Sequence, residues 1–381
     1  MNSSSSKVLL LSATLGLASA AHAQVTIYIT GSTAFRAEAY NSVVGLYGGT
    51  LTSKVGQTSA GAATTGASGD AKVTFTGTIP ALYGAQTVTI KTAYSGSVEG
   101  VVNLVDATNP PGVSQPNYLN ADGTTDSNTR GDFAFSDVFQ DTTDYPSSSY
   151  PALGDTQVGV VCFAWTKSVV ATPALANVSN ISHQQAQQFL ASGTVPLSFF
   201  TGNAADTGAI YLSGRYKLSG TRLTYQADCG FGANSDATLF KLDAAHNPVL
   251  DTAGQTGGGN VATILKDAAA TAPFIGTLGT SDAAGVNNGA NRLTYNGVAY
   301  SKAAVQNGQY SLWGYQHLYA RSGLSATKLT LVKGTTKPAD PIKSNGLANA
   351  IDTALSTSAN NVQLSTMKVG RSSDGSPIFP N

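Results

Sequence analysis

The sequence predicts an α/β protein built as two domains, and three observations carry that prediction. "VTIYITGSTAFRAEAYNSVV" (25–44) is a β-branched strand, a polar turn and then a helix with Phe35, Ala39, Val43 and Val44 at helical spacing. "GAIYL" (208–212) runs through "SGRYKLSGT" into a short helix, the same order of elements far along the chain. At 381 residues the chain is also too long for one ordinary core.

Residues 1–23 stand apart from these domains. Lys7, the short apolar "VLLLSATLGLA" and the small-x-small "AHA" at 21–23 make a secretory signal peptide cut near Ala23, too short for a membrane span. Gln24 follows, where a lipid anchor would need cysteine. No later stretch is apolar enough to span a membrane, so the mature chain is expected in a periplasm or outside the cell. Without Lys7 it carries 20 basic and 21 acidic residues, too few cations for a nucleic-acid or anionic-membrane partner. A small anion needs only one or two aimed donors and is not excluded. Cys162 and Cys229 form one disulfide or stand as separate buried thiols.

Between the two strand-to-helix units the chain changes character. Residues 48–92 are rich in Gly, Thr, Ser and Ala, with strands at "AKVTFTGTI" and "QTVTIKTAY" and a mobile loop expected over 55–70. Residues 105–130 are irregular. "TQVGVVCFAWTKS" (156–168) is an apolar strand entering a new region, and "SHQQAQQFLASG" (182–193) a helix from Ser182 to Gly193. Residues 260–283 read as helix then strand, 308–321 as a returning strand, and "SNGLANAIDTAL" as a helix before the turn-rich "RSSDGSPIFPN".

Four turns could carry chemistry. In "SGRYKLSGTR", Arg215 offers a planar fork for two oxygens, and Ser219, Gly220 and Thr221 sit where a helix start leaves N–H groups unpaired. Read alone, this is also an ordinary capping serine beside a surface arginine. "GSTAF" (31–35) and "YSGSVEG" (94–100) repeat the arrangement at other strand ends, and each again reads as a cap when taken singly. "FAFSDVF" adds Asp137, an acceptor when ionised, which favours an oxyanion that still bears a proton. Such a carboxylate admits phosphate and rejects sulfate.

Enzymatic readings fail. There is no G-x-S-x-G elbow, Asn260 stands where a P-loop needs lysine, and His183, His246 and His317 lack metal-ligand spacing. No cofactor or metal is expected.

Taken in order, these motifs resemble the phosphate-binding periplasmic proteins of ABC transporters. "GSTAFRAEAY" is similar to that family's first turn, "SGSVEGV" to its second and "FAFSDVF" to its strand-end Ser-Asp. "RYKLSGT" keeps its Arg-x-x-x-Ser-Gly-Thr spacing, and "APFIGTLGTSDA" and "RSSDGSPIFP" resemble later segments. The chain departs from the pattern at Ala34, where a threonine is usual, at Arg36, where proline is usual, and at "LSFF", which lacks the family's tryptophan.

The resemblance implies a two-domain type II binding-protein clamshell, each domain a mixed sheet flanked by helices. Domain I would be 24–155 plus 308–381 and domain II 156–307. It implies a ligand held by Thr33, Ala34, Phe35, Ser97, Asp137, Arg215, Ser219, Gly220 and Thr221. The expected role is a monomeric, non-enzymatic receptor delivering inorganic phosphate to an ABC transporter permease. Other oxyanions or small solutes, and a secreted surface protein that keeps the fold without uptake, stay open as alternatives.

Overall fold

The computed structural model describes residues 24–106, 113, 115–170, 172–336 and 339–381. The signal-peptide reading of 1–23 lies outside the described residues. The first strand-to-helix unit is β1 (Val25–Gly31) and α1 (Arg36–Tyr47). After it come β2 (Leu51–Gln57), β3 (Ala63–Thr64), β4 (Lys72–Thr78), β5 (Thr87–Tyr94), α2 (Ser97–Val105) and β6 (Phe133–Ser136). A long strand, β7 (Gln157–Lys167), then leads to α3 (His183–Ser192), β8 (Thr194–Pro196), β9 (Ala209–Ser213) and α4 (Gly220–Asp228). The last main elements are α5 (Gly258–Lys266), β10 (Phe274–Gly279), α6 (Thr280–Ala284), β11 (Trp313–Ala320) and α7 (Leu347–Leu355).

The strands join in one mixed sheet, in the order β8-β9-β10-β7-β11-β6-β1-β5-β4-β2-β3. β1 runs parallel to β5 and β6, and β9 parallel to β10. β7 ties the two ends together: Phe163–Lys167 pair with β10, while residues 157–162 pair with β11. Its run from Val158 to Thr166 is buried without a break, as a strand covered on both faces requires, so alternation is absent. Trp165 and Trp313 are fully buried on the two central strands.

Local chemistry explains the helix ends. Ser182 and Gln185 form a reciprocal capping box at the start of α3, and Gly193 ends it in the left-handed region. α1 has no capping side chain. It is held instead by packing: Ala39, Val43 and Tyr47 are buried, the Tyr47 hydroxyl donates to Val88 O on β5 at 2.9 Å, and the helix also packs against α7.

One expectation changes, and one open alternative, that of two separate buried thiols, is the one observed. Within the loop anticipated over 55–70, residues 55–57 belong to β2 and 63–64 to β3, both paired. β2 lies next to the sheet edge and is mostly half-buried or exposed, so it is written in polar residues that read as loop. The Asp70 carboxylate takes the Thr64 hydroxyl and the Ala67 amide (2.7 Å), fastening the rest of the segment. Cys162 and Cys229 are both buried and free, and burial pushes each thiol up to about 12.

Candidate functional site

Five strands converge from the two halves of the sheet, β9 and β10 running opposite to β1, β5 and β6, and each delivers a turn where they meet. β1, β5 and β6 are parallel, so Ser32, Ser95–Ser97 and Asp137 follow at the same edge. β9 and β10 bring Arg215 and Asp282 to it from the other half. The carboxyl ends of such strands are where small ligands bind in open α/β sheets. Gly31 makes the junction possible. Its φ is +107°, and a β-carbon there would stand 2.8 Å from the Phe135 amide nitrogen, which only glycine avoids.

Asp137 is the centre of the arrangement. Its Oδ1 accepts from the Ser97 hydroxyl and its Oδ2 from Thr221 Oγ1 at 3.4 Å. Thr224 Oγ1 holds its backbone carbonyl at 3.2 Å. Burial pushes the carboxyl up to about 6, opposed by its own backbone amide and by the Arg215 charge. Asp374, from the carboxyl-terminal tail, adds to the upward shift. The Ser32 hydroxyl lies close enough to favour the ionised form, yet it is buried and makes no hydrogen bond among the described residues.

Arg215 is 3% exposed, with Nε on the Gln255 carbonyl (3.1 Å) and one terminal nitrogen on that of Thr256 (3.0 Å). Its guanidinium lies 5.9 Å from the Tyr216 ring centroid. Burial lowers its pKa, with Tyr216, Asp137 and Asp282 acting to restore it. Ser219 caps α4 by accepting from the Arg222 amide, which leaves its own O–H free to donate. Capping and ligand contact are therefore compatible at this serine. Gly220 sits against Asp137 and Ser97 with no room for a side chain.

The two helix starts also meet directly. Val98 N donates to Leu218 O (3.2 Å), and the Tyr216 hydroxyl to Ser95 O (2.9 Å). Ser97, Asp137, Arg215, Ser219, Gly220 and Thr221 thus form one buried cluster, none more than 3% exposed where a polar side chain is involved. The first turn behaves differently. Thr33 and Ala34 line a cavity of about 490 Å³ beside the cluster, and Phe35 is core, 5.5 Å from Phe135 between ring centroids. The buried hydroxyl that this turn sends to Asp137 is Ser32, one residue earlier than expected. A helix that starts with Phe35 inward turns Thr33 and Ala34 toward the cavity.

The sequence reading missed two contributors, the 254–259 loop and Asp282, while Arg36 stood out already as a cation that could reach the site. The 254–259 loop, dismissed as an incomplete P-loop, supplies the carbonyls that grip Arg215 and the cavity wall at Gly257. Asp282 packs against Gly258 at the start of α5 and lies near Arg215. Arg36 lines the same cavity. The run Gly257–Gly259, spanning the start of α5, was the available signal for the loop.

No protein-family model matches this chain, and no curated relative does. Solved structures do. A proposed phosphate ABC transporter substrate-binding protein from Clostridium perfringens, solved with bound phosphate, superposes with a TM-score of 0.52 at 13% identity, over 89% of this chain and 99% of that one. The fold is that of a two-domain periplasmic binding protein. An ABC-type phosphate transport receptor from Vibrio cholerae aligns over 80% of this chain and 90% of its own, at 14% identity and a TM-score of 0.42. A high-affinity periplasmic phosphate-binding protein bound with phosphate aligns over 89% and 91%, at 15% identity and a TM-score of 0.46.

Proposed function

We propose that this protein is a non-enzymatic, extracytoplasmic receptor that captures inorganic phosphate and delivers it to an ABC transporter permease. One observation supports this above the rest: a buried carboxylate, Asp137, and a buried guanidinium, Arg215, share one cluster with the Ser97 and Thr221 hydroxyls. Arg215 supplies charge and a fork for two phosphate oxygens, and the start of α4 supplies unpaired N–H groups. With its carboxyl near 6, Asp137 is mostly ionised above neutrality and can accept the proton of hydrogen phosphate. Sulfate has no proton to offer and would meet the carboxylate acceptor to acceptor. Phosphate bound to the Clostridium relative is consistent with this reading.

Ligand contacts would come from both ends of the sheet, with Ser32 and Ser97 on one side and Arg215, Ser219 and Thr221 on the other. In this reading β7 and β11 are the two crossings about which the halves hinge, and the ligand favours the closed arrangement by bridging them. Calorimetric titration of ligand-stripped protein with phosphate, arsenate and sulfate tests the proposal. Heat is expected with phosphate and arsenate and not with sulfate. Silence with phosphate would overturn the reading.

A further inference from the structure

The Arg215 guanidinium is oriented by a loop, 251–257, that buries no apolar side chain of its own. Its Nε donates to Gln255 O and one terminal nitrogen to Thr256 O. Nη1 makes no hydrogen bond among the described residues, so the fork keeps a free edge for an oxyanion. The backbones are joined as well, Gln255 N donating to Gly214 O at 2.9 Å and Tyr216 N to Gln255 O at 3.1 Å. The plane of the fork therefore follows the carbonyls of residues 255 and 256.

Asp251 holds that loop. Thr252, Ala253 and Thr256 are exposed, whereas Asp251 is only 5% exposed. Its amide donates to Leu239 O at 2.7 Å, which roots it outside the loop. Its carboxylate then takes Gly254 N on Oδ1 at 3.2 Å and Gln255 Nε2 on Oδ2 at 2.6 Å. Gly254 lies on the peptide that joins Arg215 to Tyr216, and a β-carbon there would stand 2.7 Å from Arg215 O. No cation pairs with Asp251 among the described residues. Burying a carboxylate without a counter-ion is costly, and what it secures here is the backbone that grips Arg215.

We infer that Asp251 is a positioning residue for ligand binding: through Gly254 and Gln255 it fixes the carbonyls that set the Arg215 fork. It acts through Arg215 and not on the ligand. The inference rests on the phosphate reading of the Asp137–Arg215 cluster.

Calorimetric titration of the ligand-stripped full chain with inorganic phosphate tests this. Asp251→Ala should weaken phosphate at least about tenfold, since the fork loses its alignment. Asp251→Asn should recover most of that loss. Its oxygen can accept from Gly254 N, and the Gln255 amide can turn to receive its N–H. In an Arg215→Lys background, Asp251→Ala should cost less than about twofold more, because no fork is left to align. The Arg215 Nε–H resonance, identified by its absence from Arg215→Lys, should shift or broaden in Asp251→Ala and return to its place in Asp251→Asn. Where Asp251→Ala does not fold, Gln255→Met removes one of the two loop bonds and should weaken phosphate about threefold or more, with the same dependence on Arg215.

The inference is overturned if folded Asp251→Ala loses less than about tenfold, if its loss persists beside Arg215→Lys, or if Asp251→Asn is as weak as Asp251→Ala. If wild-type protein binds no phosphate, the proposed function fails by itself. The Nε–H resonance then still decides the positioning: unmoved in Asp251→Ala, it overturns this inference too.

Discussion

Gly220 and Asp137 are packed so closely that a β-carbon on Gly220 would collide with the carboxylate and stand 2.6 Å from Ser97 Cβ. The start of α4 is thereby pressed onto the acid that follows β6, and a single methyl group would part them. Gly220→Ala should reduce phosphate affinity at least a hundredfold in a calorimetric titration. The overpacked fold should lose about 1–3 kcal/mol in denaturant. Retained affinity would mean that the two elements are not joined through ligand.

Asp137 also makes stability depend on pH. Its folded pKa, about 6, lies above the ordinary 3.8, so the folded state holds the proton more tightly. The stabilisation is fully present below about pH 4 and is lost as pH rises through 6. A shift of this size corresponds to about 3 kcal/mol. Asp137→Asn should remove the loss, melting higher than wild type at pH 8 and not at pH 4. A pH-independent difference between the two proteins would contradict the assignment.

Selectivity should follow the same titration. At pH 8 Asp137→Asn should weaken phosphate about 10- to 100-fold, the range for a hydrogen bond to a charged group. Sulfate, facing an amide in place of a carboxylate, should bind better than it does to wild type. Wild-type preference for phosphate over sulfate should shrink at pH 5, where the acid carries its proton. Competition titrations at the two pH values measure this directly.

Arg215 cannot be exchanged for another cation. Its fork is oriented by the carbonyls of Gln255 and Thr256, which a lysine cannot engage in the same plane. Arg215→Lys should cost phosphate binding at least about 2 kcal/mol, roughly thirtyfold. Thermal melting should separate this loss from simple unfolding.

The two thiols offer a check on the fold alone. Cys162 lies inside β7 and Cys229 at the end of α4, both buried with pKa near 12. Native protein should react with no thiol reagent on the scale of minutes, and denatured protein should release two equivalents. No free thiol in protein denatured without reductant, and two after reduction, would indicate a disulfide instead.

Much of the candidate cluster was legible because its parts are local. A strand, a Gly/Ser/Thr turn and a helix can be read from a dozen residues, and Ser97, Asp137, Arg215 and Ser219–Thr221 each sit on such a unit. What could not be read is tertiary. Ser32 and Thr33 differ by one position, and only the inward packing of Phe35 decides which hydroxyl faces Asp137. The 254–259 loop serves through backbone carbonyls, which leave no side-chain signature. Residues 58–70 read as loose chain because their fastening, Asp70 to Thr64 and Tyr40 to Gly66, joins partners that periodicity does not connect.

A crystal structure grown with phosphate and with sulfate in separate drops tests the central claim most directly. The account predicts phosphate between Asp137 and Arg215, within hydrogen-bond distance of both and of the Ser97 and Thr221 hydroxyls, and no sulfate at that position. Phosphate found elsewhere, or sulfate seated equally well against Asp137, would contradict it.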